Sequence, residues 1–274
     1  MKTRKAILVA GLLAFIIGDA AAQYYGPPGP PPGPAPMRRQ RQQEPKDDEQ
    51  SKPTGYFEIS FGLAEPIGAF GATTGTSYGG YALPGSAFNL SLGIPVNHTN
   101  LGVALMYGDY NNLFDINSFA YTQQLADQSK AYAPILQDSY NESFILAGLF
   151  WTWPVHRLSF DARLMGGIAI CHLPEVTWGA QGAYDPTIST YDTYQWDTYP
   201  SSSVGFAYDI GADIRYKLRR TSIMLGIDYT GANPNVNTTQ QYTDPYGNMY
   251  YSRVSGGVPM SLICINLGLA YEIR

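Results

Sequence analysis

From Gly55 onward, apolar and polar positions alternate along much of the chain. The longest run lies between Val204 and Leu218: Val204, Phe206, Tyr208, Ile210, Ala212, Ile214, Tyr216 and Leu218 are apolar, and Gly205, Ala207, Asp209, Gly211, Asp213, Arg215 and Lys217 stand between them. A period of two sends successive side chains to opposite faces of a sheet, so one face of this strand is greasy and the other small or charged. An ordinary strand has roughly 5 to 6 residues, whereas roughly 9 to 11 tilted residues cross a bilayer. The length therefore predicts a membrane-spanning strand with lipid on one side and a polar lumen on the other.

The same pattern predicts seven more strands, over Tyr56–Ala64, Ala87–Ile94, Leu101–Tyr110, Ser143–Trp153, Leu158–Cys171, Ser222–Thr230 and Ser261–Arg274. In Ser143–Trp153 the lipid face is assigned to Ile145, Ala147, Leu149, Trp151 and Trp153, although Phe144, Leu146 and Phe150 make the opposite face apolar too. Short connections (Pro95–Asn100, Pro154–Arg157, Arg219–Arg220) alternate strictly with long ones (Glu65–Ser86, Asn111–Glu142, His172–Ser202, Gly231–Pro259). Closed membrane barrels segregate their connections in this way, with short periplasmic turns, long external loops and periplasmic termini. The predicted fold is all-β: an eight-stranded antiparallel up-and-down transmembrane β-barrel over residues 55–274. Aromatic bands are expected at Trp151, Trp153, Tyr216 and Tyr271 near the turns, and at Tyr107, Tyr110 and Tyr229 near the long connections.

The first 54 residues read differently. Lys2, Arg4 and Lys5 precede an apolar run from Ala6 to Gly18 and the small residues Ala20-Ala21-Ala22, the form of a secretory signal peptide over residues 1–22. Residues 23–54 follow as a Pro-rich, then charged, linker that can form no packed core and is expected to be a disordered periplasmic arm. Composition fits an exported barrel: 22 Tyr, 29 Gly and only 14% charged residues suit short alternating strands with aromatic girdles. Cleavage after Ala22 removes three of the 17 basic and one of the 22 acidic residues, leaving 14 and 21, a net charge of −7. That acidic balance speaks against nucleic-acid binding. Cys171 and Cys264 are too few for a disulfide framework and are read as buried thiols.

At the chain end, Asn266-x-Gly268-x-x-Tyr271-x-Ile273 resembles the C-terminal assembly signal of bacterial outer-membrane barrels. Ile273 stands where the commonest form has an aromatic residue, and Arg274 follows it. The resemblance implies recognition by the barrel-assembly machinery and residence in the bacterial outer membrane, in contact with its lipid. In architecture the chain is similar to small Gram-negative outer-membrane barrels such as the transmembrane domain of outer-membrane protein A. No peptidoglycan-binding domain follows the barrel in this sequence, so that family's anchoring role is not expected.

Inward positions gather charge: Glu58, Asp161, Arg163, Asp209, Asp213, Arg215, Lys217, Asp228 and Glu272. Eight strands leave an interior just wide enough for side chains, and buried charges must pair, so an ion-paired network closing the lumen is expected. A narrow solute conduit is the alternative. Enzymatic lipid modification is a third reading, but His98 and His156 fall in short turns and only His172 lies at the loop end of a strand, without an identifiable nucleophile. No cofactor motif or metal-ligand cluster is present, and no enzyme activity is expected. The long connections are rich in Tyr, Asn, Gln, Asp and Thr, as in Tyr184–Tyr199 and Gln240–Tyr251. They read either as poorly ordered polar loops or as a docking surface for another envelope protein, a role the Pro-rich arm could share.

Overall fold

The computed structural model describes residues 55–73, 80–97, 99–186 and 190–273. The signal peptide and arm, over residues 1–54, together with His98 and Arg274, lie outside the described residues. In chain order the elements are β1 (Gly55–Pro66), α1 (Gly68–Gly71), β2 (Gly85–Pro95), β3 (Leu101–Leu113), α2 (Ile116–Ala126), β4 (Ala131–Gln137) and β5 (Ser139–Val155). Then come β6 (Leu158–Leu173), β7 (Val176–Asp185), β8 (Thr190–Thr198), β9 (Ser201–Lys217), β10 (Thr221–Ala232), β11 (Asn235–Thr243), β12 (Met249–Gly257) and β13 (Met260–Ile273).

Eight of these strands close into a barrel in the order β1-β13-β10-β9-β6-β5-β3-β2. Every neighbouring pair is antiparallel, and the seam joins the first strand to the last, from Gly55 opposite Ile273 to Pro66 opposite Leu262. The eight barrel strands coincide with the eight predicted from alternation, but several run further at the end that carries the long connections. β5 begins at Ser139 because its alternation continues through Tyr140 and Glu142, both buried. At the opposite end the turns are tight: β5 and β6 are joined through His156 and Arg157 alone, with His156 at φ 57°, as a two-residue hairpin requires.

Where polarity suggests poorly ordered loops, three of the long connections contribute strands among the described residues. These strands, β4, β7–β8 and β11–β12, pair into a second, five-stranded sheet in the order β12-β11-β8-β7-β4. β-Branched and aromatic residues dominate β8 (Tyr191, Thr193, Tyr194, Trp196, Thr198), which favours pleated chain even where few residues are aliphatic. Helix α2 starts at Asp115, whose carboxylate accepts from the Ser118 backbone N–H at 3.0 Å and from its hydroxyl at 2.6 Å, an N-cap that satisfies an otherwise unpaired donor.

Candidate functional site: the barrel interior and the sheet beyond it

One wall of the lumen is charged. Asp161 and Arg163 on β6, Asp209, Asp213 and Arg215 on β9, and Asp228 on β10 all point inward and are buried. Arg163 is their hub: Nε donates to Asp209 at 3.3 Å, Nη1 to Asp213 at 2.7 Å and Nη2 to Asp228 at 2.5 Å. The planar guanidinium carries five fixed donors, so one arginine can serve three carboxylates where a lysine could not hold the same geometry. The Thr230 hydroxyl donates to Asp209 at 2.8 Å and the Asn266 amide to Asp228 at 2.5 Å. Arg215 donates to Asp161 and, at 3.3 Å, to Thr152, and its guanidinium lies 4.2 Å from the centre of the Tyr56 ring. Gly211 makes room for the hub, because a Cβ there would stand 2.1 Å from Asp228 Oδ1 and 2.7 Å from Arg163 Nε.

The structure thus brings together six of the nine lumen residues read from the sequence. Glu58 on β1 is buried in the same interior, and its Oε1 has no hydrogen-bond partner among the described residues. Lys217 and Glu272 pair with each other at 2.6 Å near the short-turn end, partly open to solvent and apart from the hub. Sequence reasoning passed over Glu142, which is wholly buried with neither carboxylate oxygen hydrogen-bonded among the described residues. Its signal was the alternation Tyr140, Glu142, Phe144, continued one step past the apparent strand end.

Much of the facing wall is apolar, although Asn89 on β2, Asn112 on β3 and Glu142 on β5 are buried there too. Met106 and Tyr110 on β3 and Phe144, Leu146 and Phe150 on β5 are all buried inward. This is why both faces of β5 are hydrophobic: one meets the outside and the other fills the lumen, with the register assigned from its sequence. Tyr110 therefore does not belong to an outer aromatic band; its ring packs on Phe144 at 5.0 Å inside the barrel. Rings pack against one another at both ends as well. Tyr56 meets Phe150 edge-on at 5.3 Å near the short turns. At the loop end Phe70 of α1 packs on Tyr140 at 5.0 Å, and the Tyr140 hydroxyl donates to the Gly80 carbonyl at 2.6 Å.

The outer surface is the converse. Leu63, Phe206 and Trp153 are each 68% exposed, and Leu105, Leu149, Ile210, Leu225 and Leu267 are exposed beside them, while the intervening positions of the same strands are buried or half-buried. A closed ring of strands with an apolar outside and ion pairs inside suits lipid as its solvent, since closure leaves no backbone edge unpaired. This is the architecture of a small outer-membrane β-barrel. Trp151, Trp153, Tyr216 and Tyr271 lie on the outer face toward the short turns, where an aromatic girdle belongs. Of the chain-end residues, Asn266 points inward, Tyr271 and Ile273 point outward, and Gly268 lies so close to β1 that a Cβ would meet the Ile59 carbonyl oxygen at 2.6 Å.

No protein-family model and no curated protein matches the chain. Among solved structures, the barrel is similar to Neisserial surface protein A, with 12% identity, TM-score 0.43, and coverage of 80% of this chain and 97% of that one. A major outer membrane protein of Thermus thermophilus gives 14% identity and TM-score 0.42 over 80% of this chain and 99% of its own. The attachment invasion locus protein Ail of Yersinia pestis, solved in complex with the heparin analogue sucrose octasulfate, gives 13% identity and TM-score 0.40 over 81% of this chain and 100% of its own.

Beyond the barrel, the five-stranded sheet is held by rings. Trp178 and Trp196, paired across β7 and β8, lie 6.0 Å apart with planes 7° from parallel. Trp196 continues to Tyr242 at 5.2 Å and Tyr242 to Tyr250 at 5.8 Å, while Tyr132 on β4 stacks on Trp196 from the other side at 6.0 Å. Phe119 of α2 anchors this ladder to the barrel mouth, meeting Trp178 at 4.9 Å and Tyr81 at 5.3 Å, both edge-on. Cross-strand aromatic pairs each contribute about 0.5–1.5 kcal/mol beyond their buried area, so the ladder reinforces the backbone pairing that joins three separate connections into one surface.

Proposed function

We propose that this chain is an integral β-barrel of the bacterial outer membrane whose lumen is shut by its own side chains and whose work is done by the sheet at the loop end, as a docking surface for another component of the envelope. The observation that carries this reading is the convergence of three long connections on one ordered sheet. A chain that needed only to seal its barrel would have no use for ordering that many residues outside it, because each ordered residue costs about 1–2 kcal/mol in backbone entropy. In this reading the short turns and both termini face the periplasm, the sheet faces outward, and Asn266, Gly268, Tyr271 and Ile273 present the chain to the barrel-assembly machinery. The protein acts as a structural or accessory subunit, without catalysis: His172 is exposed at the end of β6, and labelled lipid turnover that vanished in His172→Ala would overturn that part.

Crosslinking and mass spectrometry on native membranes test the docking role. A stoichiometric partner crosslinked through residues of β7, β8, β11 or β12 is expected; crosslinks confined to the barrel wall would overturn it. One observation favours a second reading, a narrow cation conduit: Arg163 faces three carboxylates, and Glu58 and Glu142 add further acid to the interior. Planar-bilayer recordings separate the two. The closed barrel gives no single-channel steps, whereas reproducible cation-selective steps would establish the conduit.

A further inference from the structure

The two edges of the outer sheet are treated differently. β4, at one edge, is blocked in three ways. Pro134 removes a donor, the pairing with β7 slips between Pro134 and Leu136, and the Tyr132 backbone N–H donates at 3.0 Å to the Gln124 side chain of α2. These are the devices by which sheets avoid accepting another strand. β12, at the other edge, has none. It contains no proline, keeps an unbroken register with β11 from Gly257 opposite Asn235 to Met249 opposite Thr243, and is exposed at all nine of its residues. Among the described residues nothing hydrogen-bonds its outer side, so alternate N–H and C=O groups of β12 face away from β11 as a ready template.

We infer that β12 is a strand-addition site, and that its ligand is an extended segment of another envelope protein carrying an aromatic and an acidic side chain three positions apart. This rests on the docking role proposed above and names its edge. The chemistry follows from two residues on opposite faces of β12. Tyr250 is 54% exposed and ends the aromatic ladder, with one side against Tyr242 and the other open, so an incoming ring opposite it extends the stack. Arg253 is the one charged residue of β12, is exposed, and has no ion-pair partner among the described residues, so a carboxylate opposite it completes a cross-strand pair. A second copy of this chain fits less well. Full-length antiparallel pairing of β12 with itself centres on Arg253 and sets it directly against its own copy, and like charges directly opposite are destabilising.

The test uses the full chain in detergent micelles and a synthetic nine-residue peptide of alternating Thr and Val, bearing one Phe and one Glu spaced to face Tyr250 and Arg253. Amide hydrogen exchange is followed residue by residue. Strand addition slows every second amide of β12 by about tenfold or more, leaves those between them and those of β4 unchanged, and is abolished by N-methylation of alternate peptide amides. Arg253→Glu, an exposed change that leaves the fold intact, transfers the preference to a peptide with Lys in place of Glu. No protection, or equal protection of β4, would overturn the inference, as would β12 protection that rises with protein concentration in the absence of peptide, which marks a second copy. Crosslinks to a native partner that map to β7 and β8 but not to β12 would retain the docking surface and remove its proposed edge.

Discussion

Arg163 on β6 reaches over β9 to Asp228 on β10, its Nη2 donating to Asp228 Oδ1 at 2.5 Å. Two strands that are not neighbours are thereby tied through the lumen, across the space that Gly211 leaves on the strand between them. Because the same guanidinium also holds Asp209 and Asp213, its removal leaves three buried carboxylates without their shared cation.

Arg163→Met is therefore expected to destabilise the barrel by about 3–5 kcal/mol, the cost of breaking a buried charge network from one side. Urea unfolding in detergent micelles reads this directly. Arg163→Met combined with Asp209→Asn, Asp213→Asn and Asp228→Asn recovers part of the loss, because the stranded charges are gone.

Gly211→Ala tests the same network without touching a charge. The new methyl overlaps Asp228 Oδ1 and Arg163 Nε, so the pair must shift. A loss of about 1–3 kcal/mol, the usual cost of overpacking, is expected in the same unfolding assay.

Cys171 and Cys264 are free thiols on β6 and β13, both fully buried within the barrel. A small water-soluble thiol reagent should modify neither in the folded protein and both after unfolding. Rapid labelling of the folded chain would mean that water and solutes enter the lumen.

Trp196→Ala removes the ring that contacts Trp178, Tyr194, Tyr132 and Tyr242. With aromatic pairs contributing about 0.5–1.5 kcal/mol each, the outer sheet should open locally while the barrel stays intact. Hydrogen exchange accelerates in β7, β8, β11 and β12, and the amides of β6, β9 and β10 keep their protection.

Acid loosens the tip of the β11–β12 hairpin. The Asn248 side-chain amide donates to Asp244 at 2.8 Å, and the backbone N–H groups of Asn248 and Tyr246 donate at 2.8 and 2.9 Å; these bonds, the Asn248 side chain first, hold the Asp244 carboxyl below the usual carboxylate range. A depressed folded-state value stabilises the turn fully above the ordinary Asp pKa of about 3.9 and loses that contribution as pH falls through the folded value. Exchange at the Tyr246 and Asn248 amides, corrected for intrinsic pH dependence, should therefore rise below about pH 4, and Asp244→Ala should show the faster exchange at every pH.

The alternation of Val204 to Leu218, and of the seven segments like it, was enough to place every barrel strand, because a period of two is a local property that survives without knowledge of any partner. It also placed Asp161, Arg163, Asp209, Asp213 and Asp228 on one surface. It could not say that Arg163 would be their shared donor, nor that Tyr110 and Phe144 would fill the opposite wall, since those facts depend on which strands face one another across the lumen. The five-stranded sheet was the least legible part. Its strands are polar outside an aromatic stripe, and Tyr132, Trp196 and Tyr242 belong to three different connections, so no local window reveals that they meet. What the sequence determined by itself, through periodicity and connection length, was the face that most barrel residues present, with Tyr110 turned inward from the outer band to which it was assigned. Tertiary structure alone decided the ion-pair partners, the aromatic ladder and the open edge of β12, because each depends on contacts between segments distant in sequence that barrel closure brings together.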